Sequence, residues 1–316
     1  MASFARKWID NPIARAELSH QERSVPRLKW RRFPVIFGLG LGVALISNGG
    51  LLFAPQIAPL IRIGPDDLTE LLNGWFGTLM VLLGALIMIH HLAFATSALQ
   101  LGSTTVAREK EGRTWESLLL TGVDARRIVF GKWLATVQTL WQVYRPLLIL
   151  RFAVALWMGL AGGLARISPF SAAPPLISVI LIAAVTSIFP MCYAGFTVMI
   201  GLLASLLAKN ETTAHRIGSL FLYLTFFLSI CMILVTFLFS FTNIELGLAS
   251  VIPAIFVTPL DGGMLSLIGI VADNATASLS YLFGLLLCMA LYAGLTWLGL
   301  RGAQTLAVRQ HATPPI

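Results

Sequence analysis

The chain has 316 residues, of which 57% are apolar and only 11% are charged. Soluble domains carry roughly 25% charged residues, so this composition excludes an ordinary soluble globular protein. Several apolar runs reach the roughly 20 residues with which a helix crosses a bilayer, and irregular backbone is not stable against lipid. The sequence therefore predicts an all-α integral membrane protein. Its net charge of +8 is a signal of membrane topology and gives no reason to expect a nucleic-acid partner.

Residues 1–32 form a basic leader with eight lysines and arginines against three acidic residues. The pair Asn11-Pro12 is typical of a helix start, because asparagine caps the helix and proline fits its first position. A thin apolar stripe follows, and Trp30 lies among basic residues, as is typical of tryptophans at a membrane surface. We predict a cytoplasmic amphipathic helix at the membrane interface; a solvated basic segment is the alternative.

Six apolar runs predict six transmembrane helices, which form one transmembrane domain over residues 33–300, followed by a cytoplasmic tail, 301–316. The predicted spans cover residues of about 33–53, 71–99, 132–164, 175–207, 217–241 and 279–300. With the amino terminus inside, the cytoplasmic segments hold 18 basic residues, whereas the external segments hold two, Arg62 and Arg166. This asymmetry predicts that both termini are cytoplasmic.

One further segment, 248–271, is apolar enough to be mistaken for a seventh span. It is interrupted by Pro253, by Pro259 and by the turn sequence at 261–263, so a re-entrant or surface-lying helical segment before the last span is favoured. A true crossing would place the tail on the external side.

Residues 100–133 are the most highly charged segment inside the apolar chain. Residues 105–120 are predicted to form one helix, with a short apolar stripe that begins at Trp115. Gly122 ends this helix, and Asp124 caps a new helix that leads into the third span. The pattern indicates a helix-turn-helix bend on the membrane surface, and the alternative is a merely solvated loop.

The same segment resembles the signature between the second and third spans of type-2 ATP-binding-cassette exporter permeases. The matching residues are the charged run 108–111, Gly112, Thr114, Glu116, the leucine triplet 118–120, Thr121, Arg127-Ile128 and Gly131-Lys132. Two departures are the inserted Arg113 and Gly122, where the family usually has proline. Residues 11–13 with Glu17 are similar to the family's amino-terminal connecting helix.

The resemblance implies the permease subunit of an exporter in the cell membrane. Two permease chains, identical or different, would each rest on a cytoplasmic ATP-binding-cassette ATPase subunit, which would carry the ATP and Mg²⁺. The family's coupling helix, which transmits closure of the ATPase subunits to the spans, would lie in this loop. The implied coupling residues are Arg108, Glu109, Glu111, Gly112, Thr114, Trp115, Glu116, Thr121, Arg127 and Lys132.

A phosphate-binding loop is absent from the sequence. At the single Gly-Lys pair, Gly131-Lys132, the position five residues before Gly131 is Arg126, and Trp133 follows where a magnesium-binding Ser or Thr is required. The chain is therefore predicted to hold no cofactor and not to be an enzyme by itself. Two alternatives stay open: a non-transporting scaffold or sensor subunit, and an integral membrane enzyme, for which the sequence offers no catalytic motif.

Arg145 and Arg151 fall in the third apolar run. A charge at membrane depth costs roughly 2.5–3.5 kcal/mol on insertion scales and usually faces protein or water. Six residues at 100° per residue place the two side chains on different faces of a helix. Pairing with backbone carbonyls or with Trp141 is one interpretation, and attraction of an anionic substrate headgroup is the other.

The adjacent pair His90-His91 invites a metal-site interpretation. Neighbouring residues on a helix point about 100° apart, however, so they cannot both bind one ion, and no acidic or cysteine partner lies at helical spacing. The favoured interpretation is two histidines bonded within the helix bundle, with a substrate contact as the alternative.

Overall fold

In a computed structural model of the protein, the described residues are 12–24, 32–52, 60, 64–120, 123–164, 176–240 and 275–312. Within these ranges the regular structure is entirely helical, which confirms the all-α prediction. The helices are α1 (Pro12–Ser24), α2 (Arg32–Leu52), α3 (Pro65–Glu111), α4 (Trp115–Leu120), α5 (Ala125–Leu164), α6 (Leu176–Leu207), α7 (Glu211–Ser240) and α8 (Ala275–Ala312). Trp30 and the segment 248–271 lie outside the described residues.

Four of the described helices contain stretches long and apolar enough to cross a membrane. These stretches are Gly77–Glu111 in α3, Val179–Leu207 in α6, Glu211–Cys231 in α7 and Leu282–Gln310 in α8. The described part of α2 contributes a shorter apolar piece, Pro34–Val43. The total of six spans therefore stays a prediction.

Two helices continue well past their predicted spans. The second span was predicted to end near residue 99, but α3 has 47 residues and ends at Glu111; the third was predicted to begin at Lys132, but α5 has 40 residues and begins at Ala125. At 1.5 Å per residue these helices are about 70 and 60 Å long, roughly twice the hydrocarbon thickness. Lysine, arginine and glutamate are good helix formers, so the charged segments continue the helices instead of forming loops.

The helix α6 lies at the centre of the bundle and packs against α3, α5, α7 and α8. Its contact with α3 is backbone to backbone, because Gly102 and Gly201 face each other's helix without a side chain between them. Small residues permit such close approach in membrane helices. Tight packing at α6 therefore sets the positions of the surrounding helices.

The two adjacent histidines both lie inside the bundle, on different sides of α3. His90 stacks on Phe94 and Tyr144, whereas His91 contacts the rings of Phe189 and Tyr193. In the described part of the chain, no group of three or more His, Cys, Asp and Glu side chains is close enough to bind a metal ion. The histidines are therefore part of the aromatic packing between α3, α5 and α6.

Candidate coupling site

The charged segment after α3 is divided by a tight turn at Gly112, Arg113 and Thr114. The Thr114 N–H donates to Glu109 O at 2.8 Å, and the Arg113 N–H donates to Lys110 O at 3.1 Å. This pair of bonds is the Schellman arrangement, which requires a left-handed residue after the helix. Arg113 supplies it with φ 57°. The prediction of one helix over residues 105–120 is therefore wrong: α3 ends at Glu111, and a separate short helix, α4, begins at Trp115.

The predicted start of the next helix is confirmed. The Asp124 carboxylate accepts a hydrogen bond from the Arg126 N–H at 3.0 Å, and its carbonyl accepts from Arg127 and Ile128. Asp124 thus caps α5, as an aspartate at this position does. Thr121 and Gly122, between α4 and this cap, lie outside the described residues.

Trp115 fixes α4 to the bundle. Its side chain is 4% exposed, and it belongs to an apolar cluster to which α3, α5, α6 and α8 all contribute. Buried members of the cluster include Val106, Ile128, Val129, Leu202, Leu206, Leu300 and Ala303, and Ile13 of α1 packs against the cluster. Because α4 has only six residues and cannot be stable alone, its position depends on this indole.

Four charged side chains meet where α1, α3 and α5 come together, and we call Glu17, Arg108, Glu109 and Lys132 the charge clasp. The Lys132 ammonium donates to Glu17 Oε2 at 3.0 Å, to Glu109 Oε1 at 2.6 Å and to the Thr105 carbonyl at 3.1 Å. An ammonium group has three protons, so these bonds use all of them. Arg108 lies 3.6 Å from Glu17 Oε1. The clasp contains two positive and two negative groups and is neutral overall.

Burial and charge act in opposite directions on Glu17, which is 7% exposed. Burial raises the pKa of this carboxyl, but the charge and hydrogen bond of Lys132, with help from Gln21 and Arg108, outweigh burial and lower the pKa below 4.5. Gln21 also donates to Thr136 Oγ1 at 2.9 Å. The leader helix α1 therefore binds α5 through a polar face, Glu17 and Gln21, in addition to its apolar stripe.

A second set of contacts joins the ends of α3, α6 and α8. Lys110 donates to the carbonyls of Leu206 and Ala208, and the Gln310 amide donates to Leu206 O at 2.9 Å. The last carbonyls of a helix have no partner within it, so these side chains satisfy the end of α6. We call this end of the bundle, which carries the charge clasp, α4 and the carboxyl end of α8, the coupling end.

The residues implied as coupling residues divide into two groups. The inward-facing group contacts the chain's own helices and comprises Lys132, Trp115 and the largely buried Glu109. Arg108 is half-buried. The exposed group comprises Glu111, Gly112, Thr114, Glu116 and Arg127. Lys110 belongs to the charged run 108–111 but was not among the implied coupling residues. The sequence analysis did not single out Gln21, Thr136 or Gln310; for Gln21, its i, i+4 spacing from Glu17 was the available signal.

The two arginines of the third apolar run, Arg145 and Arg151, also have different environments. Arg145 is exposed on the side of the helix bundle, and within the described ranges no cation–π contact joins it to Trp141. Arg151 is 2% exposed and donates from Nε to the Thr186 carbonyl at 3.3 Å. Two interpretations were left open for this arginine, structural pairing and attraction of an anionic substrate headgroup. The observed contact of Arg151 is structural pairing with a backbone carbonyl.

Long apolar helices, whose polar ends are bonded to one another at one end of a bundle, define a multi-pass integral membrane protein. The chain belongs to the ABC-2 family of transporter proteins, whose family model matches residues 10–254. The resemblance in residues 108–132 is thereby confirmed, and the chain is a permease subunit of an ABC transporter. Neither a search of curated proteins nor a search of solved structures found a match.

Membership of this family implies association with an ABC ATPase subunit, and the permease component is generally not catalytic itself. The coupling end has several exposed residues. They carry both signs of charge, and Leu120 among them is 79% exposed.

The left-handed Arg113 gives a stability prediction. Arg113→Gly is expected to raise the free energy of unfolding by up to about 1 kcal/mol, because glycine adopts positive φ without the Cβ clash. Thermal melting of the purified chain in mild detergent measures the change. Arg126→Gly is the control: it removes an equally exposed arginine from the first turn of α5 and should instead lower the melting temperature. A lower melting temperature for Arg113→Gly would contradict the assignment.

Proposed function

We propose that the chain is one of two permease subunits, identical or different, of an exporter in the cell membrane. The driving force is ATP hydrolysis on a separate ATPase subunit, which binds ATP and Mg²⁺ and contacts α4 and its flanking turns at the coupling end. The family supports the permease role, and the exposed residues of α4 and the flanking turns support the place of contact. Substrate passes by alternating exposure between the two permease chains.

The charge clasp is the observation that carries the proposed coupling. A push on α4 reaches the spans only through contacts that both sides maintain. Trp115 joins α4 to the apolar cluster of the coupling end, and the preceding turn joins α4 to α3. Lys132 then bonds α3 to α5 and to the leader helix α1. Movement of α4 is therefore transmitted to three helices together.

Contacts between distant parts of the chain support the proposed topology of six spans. Glu17 bonds Lys132, and Leu206 bonds Gln310, so each pair lies on one side of the membrane. An even number of crossings must separate the members of each pair. Between Leu206 and Gln310 the described chain provides α7 and α8, which favours a re-entrant segment over a crossing at 248–271.

The basic residues of the coupling end support its cytoplasmic location. Arg108, Lys110, Arg126, Arg127 and Lys132 all lie at or beside the charge clasp and α4. Positive residues are enriched on the cytoplasmic side of membrane proteins. The leader helix and the end of α8 lie at the same end, which supports the proposal that both termini are cytoplasmic.

Reversal of one exposed charge tests the proposed contact. Glu116→Arg, on the outer face of α4, is expected to reduce the amount of ATPase subunit that co-purifies in mild detergent about 5-fold or more, because like charges across an interface cost affinity. Thr305→Arg is the control, since it introduces the same side chain at an exposed position of α8 at the same end. It should leave the yield of ATPase unchanged.

Two results would contradict this proposal. The first is purification of the intact wild-type chain with no nucleotide-hydrolysing subunit bound to it. The second is an equal loss of the ATPase subunit in the Glu116 and Thr305 variants, which would show a general charge effect and no contact at α4.

A further inference from the structure

Pro190 lies in the interior of α6, which runs from Leu176 to Leu207. Proline has no N–H, so the carbonyl four residues before it loses its usual helical donor. For Pro190 this carbonyl belongs to Thr186, which is buried in the bundle. An unsatisfied carbonyl is costly inside a membrane, where no water replaces the missing bond.

The neighbouring helix α5 provides donors at this point. Arg151 donates from Nε to Thr186 O at 3.3 Å, and the Tyr144 hydroxyl donates to Ser187 O at 2.6 Å. The two donors are seven residues apart, which is two helical turns, so they lie on the same face of α5. Both side chains are buried, Arg151 at 2% and Tyr144 at 0% exposure. One face of α5 therefore bonds two consecutive carbonyls just before the proline.

The same stretch of α6 has a second feature that weakens a regular helix. The Thr186 hydroxyl donates to Ile182 O at 2.8 Å, and the Ser187 hydroxyl donates to Ala183 O at 2.6 Å. Such bonds from a side chain back to its own helix compete with the backbone bonds and favour bending. Together with Pro190, they place three bend-promoting residues within about one and a half turns.

We propose that residues 186–190 form a hinge in α6, and that Arg151 and Tyr144 form a latch that holds this hinge in the conformation described here. Arg151 is a positioning residue, whose guanidinium takes the place of the N–H that Pro190 lacks. Hydrogen bonds between membrane helices are individually weak, so two of them can open and re-form during a cycle. The latch follows from contacts within this chain, whereas use of the hinge in transport rests on the proposed function.

A double-mutant cycle on the purified chain tests the latch. Pro190→Ala restores the N–H and gives the Thr186 carbonyl a donor in its own helix, so Arg151→Met no longer leaves that carbonyl without one. We expect the drop in melting temperature caused by Arg151→Met to be about half or less in the Pro190→Ala background. Equal drops in the two backgrounds would overturn the latch.

Two controls separate this effect from general damage to the bundle. Arg145→Met removes an exposed arginine of the same helix, and its effect on the melting temperature should be the same with and without Pro190→Ala. Tyr144→Phe should lower the melting temperature, whereas Tyr193→Phe should not, because the buried Tyr193 hydroxyl bonds no group within the described residues. Equal effects of the two tyrosine changes would count against the latch.

Arg151→Lys keeps the test usable if the methionine variant does not fold. Lysine still carries a hydrogen-bond donor, so the melting temperature should drop less in Arg151→Lys than in Arg151→Met. This drop should likewise be smaller in the Pro190→Ala background. A loss from lysine that is the same in both backgrounds would overturn the latch in the same way.

Hydrogen exchange tests movement of the hinge. In the complex with its ATPase subunit, trapping with ATP and vanadate is expected to change the exchange of the α6 amides over 186–194, and Pro190→Ala should reduce that change about twofold or more. If the double-mutant cycle shows coupling between Arg151 and Pro190 but nucleotide does not change hydrogen exchange, the hinge does not move during transport. The latch would then only hold α5 and α6 together. Failure to bind an ATPase subunit would instead refute the proposed function. It would not affect the latch, because the double-mutant cycle on Arg151 and Pro190 needs only this chain.

Discussion

Lys132→Met is expected to lower the free energy of unfolding by about 3–5 kcal/mol and to uncouple ATP hydrolysis from transport. Removing one member of a buried ion pair costs this much because the other charges stay buried without compensation. Here the carboxylates of Glu17 and Glu109 would be left facing each other, with the half-buried Arg108 as the remaining cation of the clasp. Thermal melting in mild detergent measures the first effect.

The second effect is read from the ATPase activity of the complex. Without Lys132, α5 loses its bonds to Glu109 of α3 and to Glu17 of α1, and the Arg108–Glu17 pair is the contact of the clasp that still joins α1 to α3. Movement of α4 then reaches fewer helices. ATP hydrolysis should then continue while the nucleotide-dependent change in the membrane helices is lost. Loss of ATP hydrolysis together with the change in the membrane helices would indicate that the variant is simply unfolded.

Neutralising the three members that Lys132 bonds together, with the half-buried Arg108 left charged, provides the matched test. Adding Glu17→Gln and Glu109→Gln to Lys132→Met should restore a large part of the melting temperature, because neutral amides need no buried counter-charge. Lys209→Met is the control: Lys209 is exposed between α6 and α7, and its loss should change stability by no more than about 0.5 kcal/mol. A wild-type melting temperature for Lys132→Met alone would show that the clasp contributes little.

Gly201→Ala is the second substitution with a large expected effect. A Cβ at this position would lie 2.7 Å from Leu99 O and 2.7 Å from Ser103 N, both backbone atoms of α3. Backbone atoms cannot turn aside as a flexible side chain can, so α3 and α6 must separate. Overpacking of this kind typically costs about 1–3 kcal/mol, and we expect the upper end of that range.

The reciprocal change should behave similarly, because a Cβ at Gly102 would lie 2.5 Å from Val198 O. Gly294→Ala in α8 is the control, since a Cβ there meets no described atom within 4 Å. Alanine is the better helix former, so this control should melt at the same temperature as wild type or higher. If Gly201→Ala and Gly294→Ala melted alike, the close approach of α3 and α6 would be contradicted.

The helix class and several helix starts were predictable from the sequence because their causes are local. Apolar length predicts membrane helices, the proline of Asn11-Pro12 begins α1, and Asp124 caps α5. The break between α3 and α4 was not predictable by the same rules. Residues 108–116 contain good helix formers, and the left-handed position that ends α3 is taken by Arg113 where glycine is usual.

The directions in which the coupling residues face could not be read from the loop alone. Lys132 bonds Glu17, which lies 115 positions away in the sequence. Trp115 is buried largely by α5, α6 and α8, which follow it in the chain. For Arg151 half of the signal was present, since Pro190 frees a carbonyl four residues before it. Which neighbouring helix would supply the donor depended on how α5 and α6 pack.

The separation of Glu17 and Lys132 in the sequence has a consequence for biosynthesis. Lys132 is 115 positions after Glu17, so at about 5–20 residues per second it is synthesised roughly 6–23 s later. The polar face of α1 exists for that time without its partner. In the proposed topology, the ion pair can form only after the two intervening helices have inserted and have returned the chain to the side of the membrane on which α1 lies. A nascent chain whose first half is correctly inserted can therefore form the Glu17–Lys132 ion pair. A chain in which one of these helices has failed to insert cannot form it.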